Sequence, residues 1–357
     1  YSVQVTEGTP KVEVVLPDSD EEGVYDYTGN KLTFDAAVTG VTGVEGAAEP
    51  ETEGKIRFNF YADADQDGQP DGTALGDQPT DVGAYLVEAV YDGDDNYRSA
   101  TSEKVSFQIR EAGLIVAPKN PYGGEQGARY DGQTHPAAED LTVSGPDGQP
   151  VETDSITYST EKGGSYTETM PKFQDAGTYT VYYKVTADNY ADKAGQFSII
   201  IRPAPLTITG VPENFSKVYD GGTDVSENLL SDISVSAQDV TGESIRVSSA
   251  TGAYEDKNAG TEKDVTITLT LNGVENWGNY QYNNEPLTAG ALTLTVEDKG
   301  TITQKPVTVT GVSAVNRVYD SKNQVDLTGD ELSFADGDIE GADSVTATLS
   351  ASAKGTV

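Results

Sequence analysis

Apolar and polar residues alternate with period two in many short stretches of this chain. Lys55-Ile56-Arg57-Phe58-Asn59-Phe60 does so, as do Val265-Thr266-Ile267-Thr268-Leu269-Thr270-Leu271 and Leu292-Thr293-Leu294-Thr295-Val296. Side chains of a strand point alternately to its two faces, so this pattern predicts strands with one buried face. Val, Ile, Thr and aromatic residues suit such a pleated, half-buried surface. Gly, Asn, Asp and Pro separate the stretches, as turns require. There is no convincing long stretch of helical period. Short strands at regular spacing predict an all-β chain of antiparallel β-sandwiches.

The pattern repeats. Tyr-Asp followed by a turn residue occurs at Tyr25-Asp26-Tyr27-Thr28-Gly29, Tyr130-Asp131-Gly132, Tyr219-Asp220-Gly221 and Tyr319-Asp320-Ser321. The leading tyrosines are 105, 89 and 100 positions apart, each about the length of one small sandwich. A second mark follows in the first two copies: Asp81-Val82-Gly83-Ala84-Tyr85-Leu86-Val87 and Asp175-Ala176-Gly177-Thr178-Tyr179-Thr180-Val181. The third copy keeps Asn258-Ala259-Gly260. A third mark is Asp95-Asn96-Tyr97, Asp188-Asn189-Tyr190 and the looser Gly278-Asn279-Tyr280. Each copy closes on an alternating strand, at Val105–Ile109, Phe197–Ile201 and Gly300–Thr303. The expected organisation is four repeats in tandem, 1–111, 112–203, 204–304 and a partial fourth at 305–357. Glu111-Ala112-Gly113, Pro203-Ala204-Pro205 and Gln304-Lys305-Pro306 form short joints, and proline resists bending at two of them. A stiff, elongated array is expected.

Composition narrows the function. Lys and Arg number 23 against 59 Asp and Glu, a net charge of −36. That argues against nucleic acid, whose phosphates need a basic surface, and against anionic membrane surfaces. There is no Cys, which excludes disulfides, thiol catalysis and Cys-ligated zinc. No run is apolar enough to span a membrane, so direct membrane insertion is not expected. The N-terminus carries no basic-then-apolar leader and the C-terminus no sorting motif, so the chain reads as an internal piece of a longer protein.

The Asp-x-Gly-x-Tyr-x-Val element resembles the tyrosine-corner segment of the immunoglobulin fold, with Val87 and Val181 where antibody domains carry Cys. The first repeat, with Gly83-Ala84-Tyr85 and Tyr91-Asp92-Gly93-Asp94-Asp95-Asn96-Tyr97, resembles the bacterial Ig-like repeats of surface proteins. Leu206-Thr207-Ile208-Thr209-Gly210 followed by Lys217-Val218-Tyr219-Asp220-Gly221 resembles the YDG repeats of large bacterial adhesin-like proteins. The resemblance implies an extracellular, cell-wall-attached stalk that presents distal domains. A second reading is an adhesin that contacts a glycan or a host surface protein. A third is an accessory region of a secreted carbohydrate-active enzyme. A monomer is expected.

Candidate chemistry lies at few places. Asp63, Asp65, Asp67 and Asp71 follow the spacing of a calcium loop, in which carboxylates converge on one ion. Position twelve of that loop is Ala74 rather than the closing Glu, and strands flank it, so the competing reading is an acidic turn. Calcium is the one cofactor these residues suggest. Asp92, Asp94 and Asp95 form a second acidic run, read first as a solvated turn. Trp277, Tyr280 and Tyr282 are candidate glycan contacts, because rings can stack on sugar faces; the competing reading places them in the core. Intramolecular isopeptide bonds would need a buried lysine, and Lys104, Lys184 and Lys263 lie in or near strands. The single His135 has no Gly-x-Ser-x-Gly elbow to serve, and no phosphate-binding glycine loop occurs. No catalysis is expected.

Overall fold

The computed structural model describes residues 6–43, 45–329, 331–341 and 343–356. It is all-β. Among the described residues the only helical pieces are one turn at Glu227–Leu230 and two 3-10 turns, Gly124–Gln126 and Trp277–Asn279. The predicted alternation is realised at Val265–Leu271: Val265, Ile267, Leu269 and Leu271 are buried while Thr266, Thr268 and Thr270 are exposed.

The strands fall into successive groups, and the pairings keep within each group. In the first, Lys11–Val15 pairs with Asp35–Thr39. A larger sheet runs in the order Val24–Asp26, Val105–Arg110, Gly83–Tyr91 and Ile56–Ala62. Val12, Val14 and Val38 of the small sheet pack on Ala89, Tyr91 and Phe58 of the large one, so the two sheets form a sandwich. The second group repeats the plan. Ile115–Pro121 pairs with Ala138–Ser144, and Leu141, Val116 and Val143 face Tyr158, Val181, Tyr183 and Ile199 of a four-stranded sheet. The third group has two four-stranded sheets. The fourth holds short strands between Val309 and Thr356.

Most pairs are antiparallel, but the early strands of each repeat depart from that expectation. Val24–Asp26, Ala128–Arg129 and Phe215–Val218 each run parallel to the closing strand of their own repeat. Gly8, Ala112 and Ala204 each pair in parallel with the tyrosine of an Asn-Tyr mark, at Tyr97, Tyr190 and Tyr280. The first edge of each repeat is therefore tied to its end.

These parallel pairs correct the register of the first Tyr-Asp mark. The Tyr27 amide donates to Arg110 O, as that of Tyr130 does to Arg202 O and that of Tyr219 to Thr303 O. Tyr27, not Tyr25, is the counterpart of Tyr130 and Tyr219. Two positions on, Gly29, Gly132, Gly221 and Ser321 all have φ between 65° and 80°. Between them, Thr28, Asp131, Asp220 and Asp320 each accept the amide two residues ahead. The turn is thus a side-chain-closed turn ending in a left-handed residue, which glycine adopts at least cost.

By contacts the chain divides into two compact units. One comprises residues 1–127, 135–173 and 178–200; the other comprises 128–134, 174–177 and 201–357.

Candidate functional site

The Asp-x-Gly-x-Tyr mark forms a tyrosine corner. Tyr85 Oη donates to Asp81 O at 3.0 Å, and its ring packs beside Phe107 with centroids 5.5 Å apart. A Cβ on Gly83 would stand 2.8 Å from that hydroxyl, so any larger residue there would push the ring out of this position. Val87 and Val181, at the positions of the antibody cysteines, are fully buried.

The same corner receives a side chain from the next repeat. Within the first unit, the Val82 amide donates to Asn189 Oδ1 at 2.8 Å and Asn189 Nδ2 donates to Asp81 Oδ1 at 3.4 Å. Within the second unit, the Ala176 amide donates to Asn279 Oδ1 at 2.8 Å and Asn279 Nδ2 donates to Asp175 Oδ1 at 2.8 Å. The aromatic neighbours repeat too. Tyr27 meets Tyr190 edge to face at 5.3 Å, and Tyr130 meets Tyr280 edge to face at 5.6 Å. The joint residue itself is bonded: Ala191 N donates to Ala112 O, and Ala112 N to Asn189 O. Further along, Tyr219 Oη donates to Asp343 Oδ2 at 2.7 Å, and Lys257 lies 3.5 Å from the same carboxylate. The sequence marks locate these residues but do not show that the Asn of one repeat bonds the corner of the repeat before it. Recurrence of the Asn in all three Asn-Tyr marks was the available signal.

The four-Asp loop comes together only in part. Asp63, Asp65 and Asp67 place one carboxylate oxygen each within 4.8 Å of the others. Asp71 does not join them; its Oδ2 accepts the Ala64 amide at 2.6 Å and closes the loop instead. The loop springs from the end of Ile56–Ala62. It is pinned by the Asp63 amide on Ala84 O and the Asp71 amide on Ala62 O. Asp65 and Asp67 are exposed, whereas Asp63 is only 2% exposed and its Oδ1 has no hydrogen-bond partner.

Asp94, in the second acidic run, is a structural group. Its two oxygens accept the amides of Glu51, Asn96 and Tyr97 and the Tyr91 hydroxyl. Those bonds, led by the Glu51 amide, hold its carboxyl well below the usual carboxylate range. Asp92 pairs with Arg57 at 3.2 Å.

The three aromatic candidates do not form one platform. Tyr280 is fully buried, with its hydroxyl on Glu243 and its ring against Trp277 at 6.4 Å. A ring with no exposed face cannot stack on a sugar, so Tyr280 leaves the candidate glycan set. Trp277 and Tyr282 are half-buried.

The three lysines differ. Lys263 is buried and paired with Asp256 at 2.8 Å. Lys184 lies over the Tyr166 ring at 4.4 Å. Lys104 pairs at 3.0 Å with Glu88, which also accepts from Asn59 Nδ2 and Tyr61 Oη. Burial opposes the Glu88 charge, yet Asn59, Tyr61 and Lys104 together hold its carboxyl below its ordinary value. His135 stacks on Tyr122 with centroids 4.1 Å apart.

Residues 202–289 match the YDG domain family, which places that family within the third strand group. No curated protein matches the chain. Among solved structures, it is similar to the three N-terminal domains of the bacteriophage RB49 Highly Immunogenic Outer Capsid protein. Identity there is 15%, with 83% of this chain and 99% of that one covered and a TM-score of 0.25. It is also similar to protocadherin gammaB7 EC3-6, at 9% identity, 88% and 77% coverage and a TM-score of 0.22. A further match is surface layer protein SbsC, domains 4–9, at 13% identity, 87% and 49% coverage and a TM-score of 0.20.

Proposed function

We propose that this chain is a non-catalytic spacer of a bacterial surface protein, with Ig-like repeats at 1–111, 112–203 and 204–304 and part of another at 305–357. In this reading the repeats are locked head to tail so that distal parts of the polypeptide are held away from the cell wall. The repeated asparagine clasp is the observation that carries it. A flexible linker leaves its backbone solvated and its neighbours free to turn. Here Ala112 is paired on both its amide and its carbonyl, and Asn189 and Asn279 each bind a corner more than a hundred positions back. Two hydrogen bonds plus an edge-to-face ring pair fix direction as well as distance, because both interactions are directional. The acidity fits an extracellular spacer, since a charge of −36 keeps an extended chain soluble and self-repelling.

Small-angle X-ray scattering on the whole chain tests this reading. The expected profile is that of a single extended particle, and replacing Asn189 and Asn279 together by Ala is expected to broaden its distribution of lengths. One compact globule, or a flexible string already in the unmodified chain, would overturn it.

A further inference from the structure

The Asp63 carboxylate poses a physical problem. Burying a carboxylate without a partner costs several kcal/mol or more, so such groups are paired, protonated or bound to a metal. Asp63 is 2% exposed and its Oδ1 accepts nothing from the protein. Two more carboxylates, Asp65 and Asp67, hold oxygens within 4.8 Å of it and of each other. Like charges so close repel, and a divalent cation between them turns that repulsion into attraction.

We propose that Asp63, Asp65 and Asp67 form a calcium site in the first repeat. The donors are all oxygens, with no His or Cys in the cluster, which favours a hard cation over zinc or copper. The loop is long and irregular, with Gln66 at φ 56° and Gly68 at φ 79°, so it adapts to the wide, variable shell of calcium more readily than to the strict octahedron of magnesium. Asp63 also lines a surface cleft with Glu22, Gln66 and Tyr85, so its surroundings are open to solvent on that side. Three carboxylates supply fewer than the six to eight oxygens that calcium takes, so water completes the shell and affinity is modest, on the order of 10⁻⁴ to 10⁻³ M. The site lies beside the tyrosine corner, because the Asp63 amide donates to Ala84 O. It does not depend on the spacer reading, and either can fail alone.

The test is terbium luminescence with calorimetry, on the full chain after removal of divalent ions by chelator. Tyr85, in the same cleft, is the sensitiser. The expected result is tyrosine-sensitised terbium emission that calcium displaces, and calcium heat fitting one site per chain. The D65N/D67N double variant changes only exposed groups and keeps an Oδ1 acceptor for the Asp67 and Gln69 amides, and its circular dichroism is checked first. It is expected to weaken calcium binding by at least about tenfold. Three outcomes overturn the proposal: no calcium heat up to about 10 mM from folded protein, equal emission and heat in the double variant, or magnesium competing as well as calcium. The second of these is the signature of loose counter-ions around an acidic chain.

Discussion

Asn279 holds Ala176 and Asp175 with both ends of its side-chain amide, each at 2.8 Å, and is itself 1% exposed. Asn189 makes the same pair of bonds to Val82 and Asp81, but its second bond is longer, at 3.4 Å. A side-chain amide carries its acceptor and its donors on two separate atoms, so one group can accept from a backbone amide and donate to a neighbouring carboxylate at once. This explains why the position is Asn rather than Asp: a second carboxylate would face Asp175 or Asp81 and repel it.

Asn279→Ala is therefore expected to cost about 1–3 kcal/mol, because the half-buried Ala176 amide loses its acceptor and the buried end of the contact is left empty. Asn189→Ala should cost less, nearer ~1 kcal/mol, since its contact is looser and more exposed. Denaturant unfolding gives the totals. Amide exchange gives the location, with protection lost at Ala176 and Val82 and kept at Val181. Unchanged exchange at both amides would show that the clasp does not hold the joint.

The left-handed turn residues differ in what surrounds them. Gly132 has φ 80°, and a Cβ there would lie 2.2 Å from Thr241 O. Gly29 has φ 69°, and the nearest atom to a Cβ there would be the Tyr27 hydroxyl at 3.5 Å. Gly29→Ala should cost only the conformational strain, about 1–2 kcal/mol. Gly132→Ala adds a backbone collision and should cost more than ~3 kcal/mol. Ser321 already occupies this turn with φ 65°, so a side chain is tolerated where space is open. Thermal melts of the two variants decide the point, and equal losses would refute the role given to Thr241.

Asp94 gathers four hydrogen bonds, which depress its folded-state pKa below that of the unfolded chain. A depressed carboxylate contributes stability that is present above its unfolded pKa and is lost as pH falls toward the folded one. Asp94→Asn should lower the melting temperature at pH 7. The gap from the unmodified protein should close as pH drops below about 4. A gap that stays constant down to pH 2 would mean that shape rather than charge holds the Glu51, Asn96 and Tyr97 amides.

Local pattern carried much of this fold. The Thr-spaced run at Val265–Leu271, the closing strands and the Asp-x-Gly-x-Tyr-x-Val corner are all readable because the controlling interactions lie within a few residues. The register of the first Tyr mark was not readable, because Tyr25-Asp26 fits the motif literally while Tyr27 takes the structural place. Only the parallel pairing with Arg110, more than eighty positions away, separates them. The clasp was hidden for the same reason: Val82 and Asn189 are 107 positions apart. At the acidic loop, spacing alone could not tell a ligand from a loop closure. The burial of Asp63 and the bond from Ala64 to Asp71 divide the four residues into three and one.

Alkaline pH provides the broadest test of the packing. Tyr91, Tyr130 and Tyr158 are buried, and burial first, then nearby carboxylates, push each hydroxyl up to about 12 from 10.0. Tyr280 moves in the same direction for the same reasons, burial ahead of Glu243. When folding raises a pKa, the folded state holds its proton longer than the unfolded chain. Its contribution is then intact below pH ~10 and is lost as pH rises through about 12. The 20 tyrosines should therefore ionise in two phases when followed at 295 nm. Solvent-exposed phenols titrate first, at pH ~10, with the β-sheet circular dichroism unchanged. The buried rings follow in a steeper step that coincides with loss of that signal. Tyr280→Phe removes a hydroxyl whose ionisation favours unfolding, so it should move the second step to higher pH if Glu243 then finds another partner. A single smooth titration centred near pH 10, with the fold retained, would mean that these rings are open to solvent.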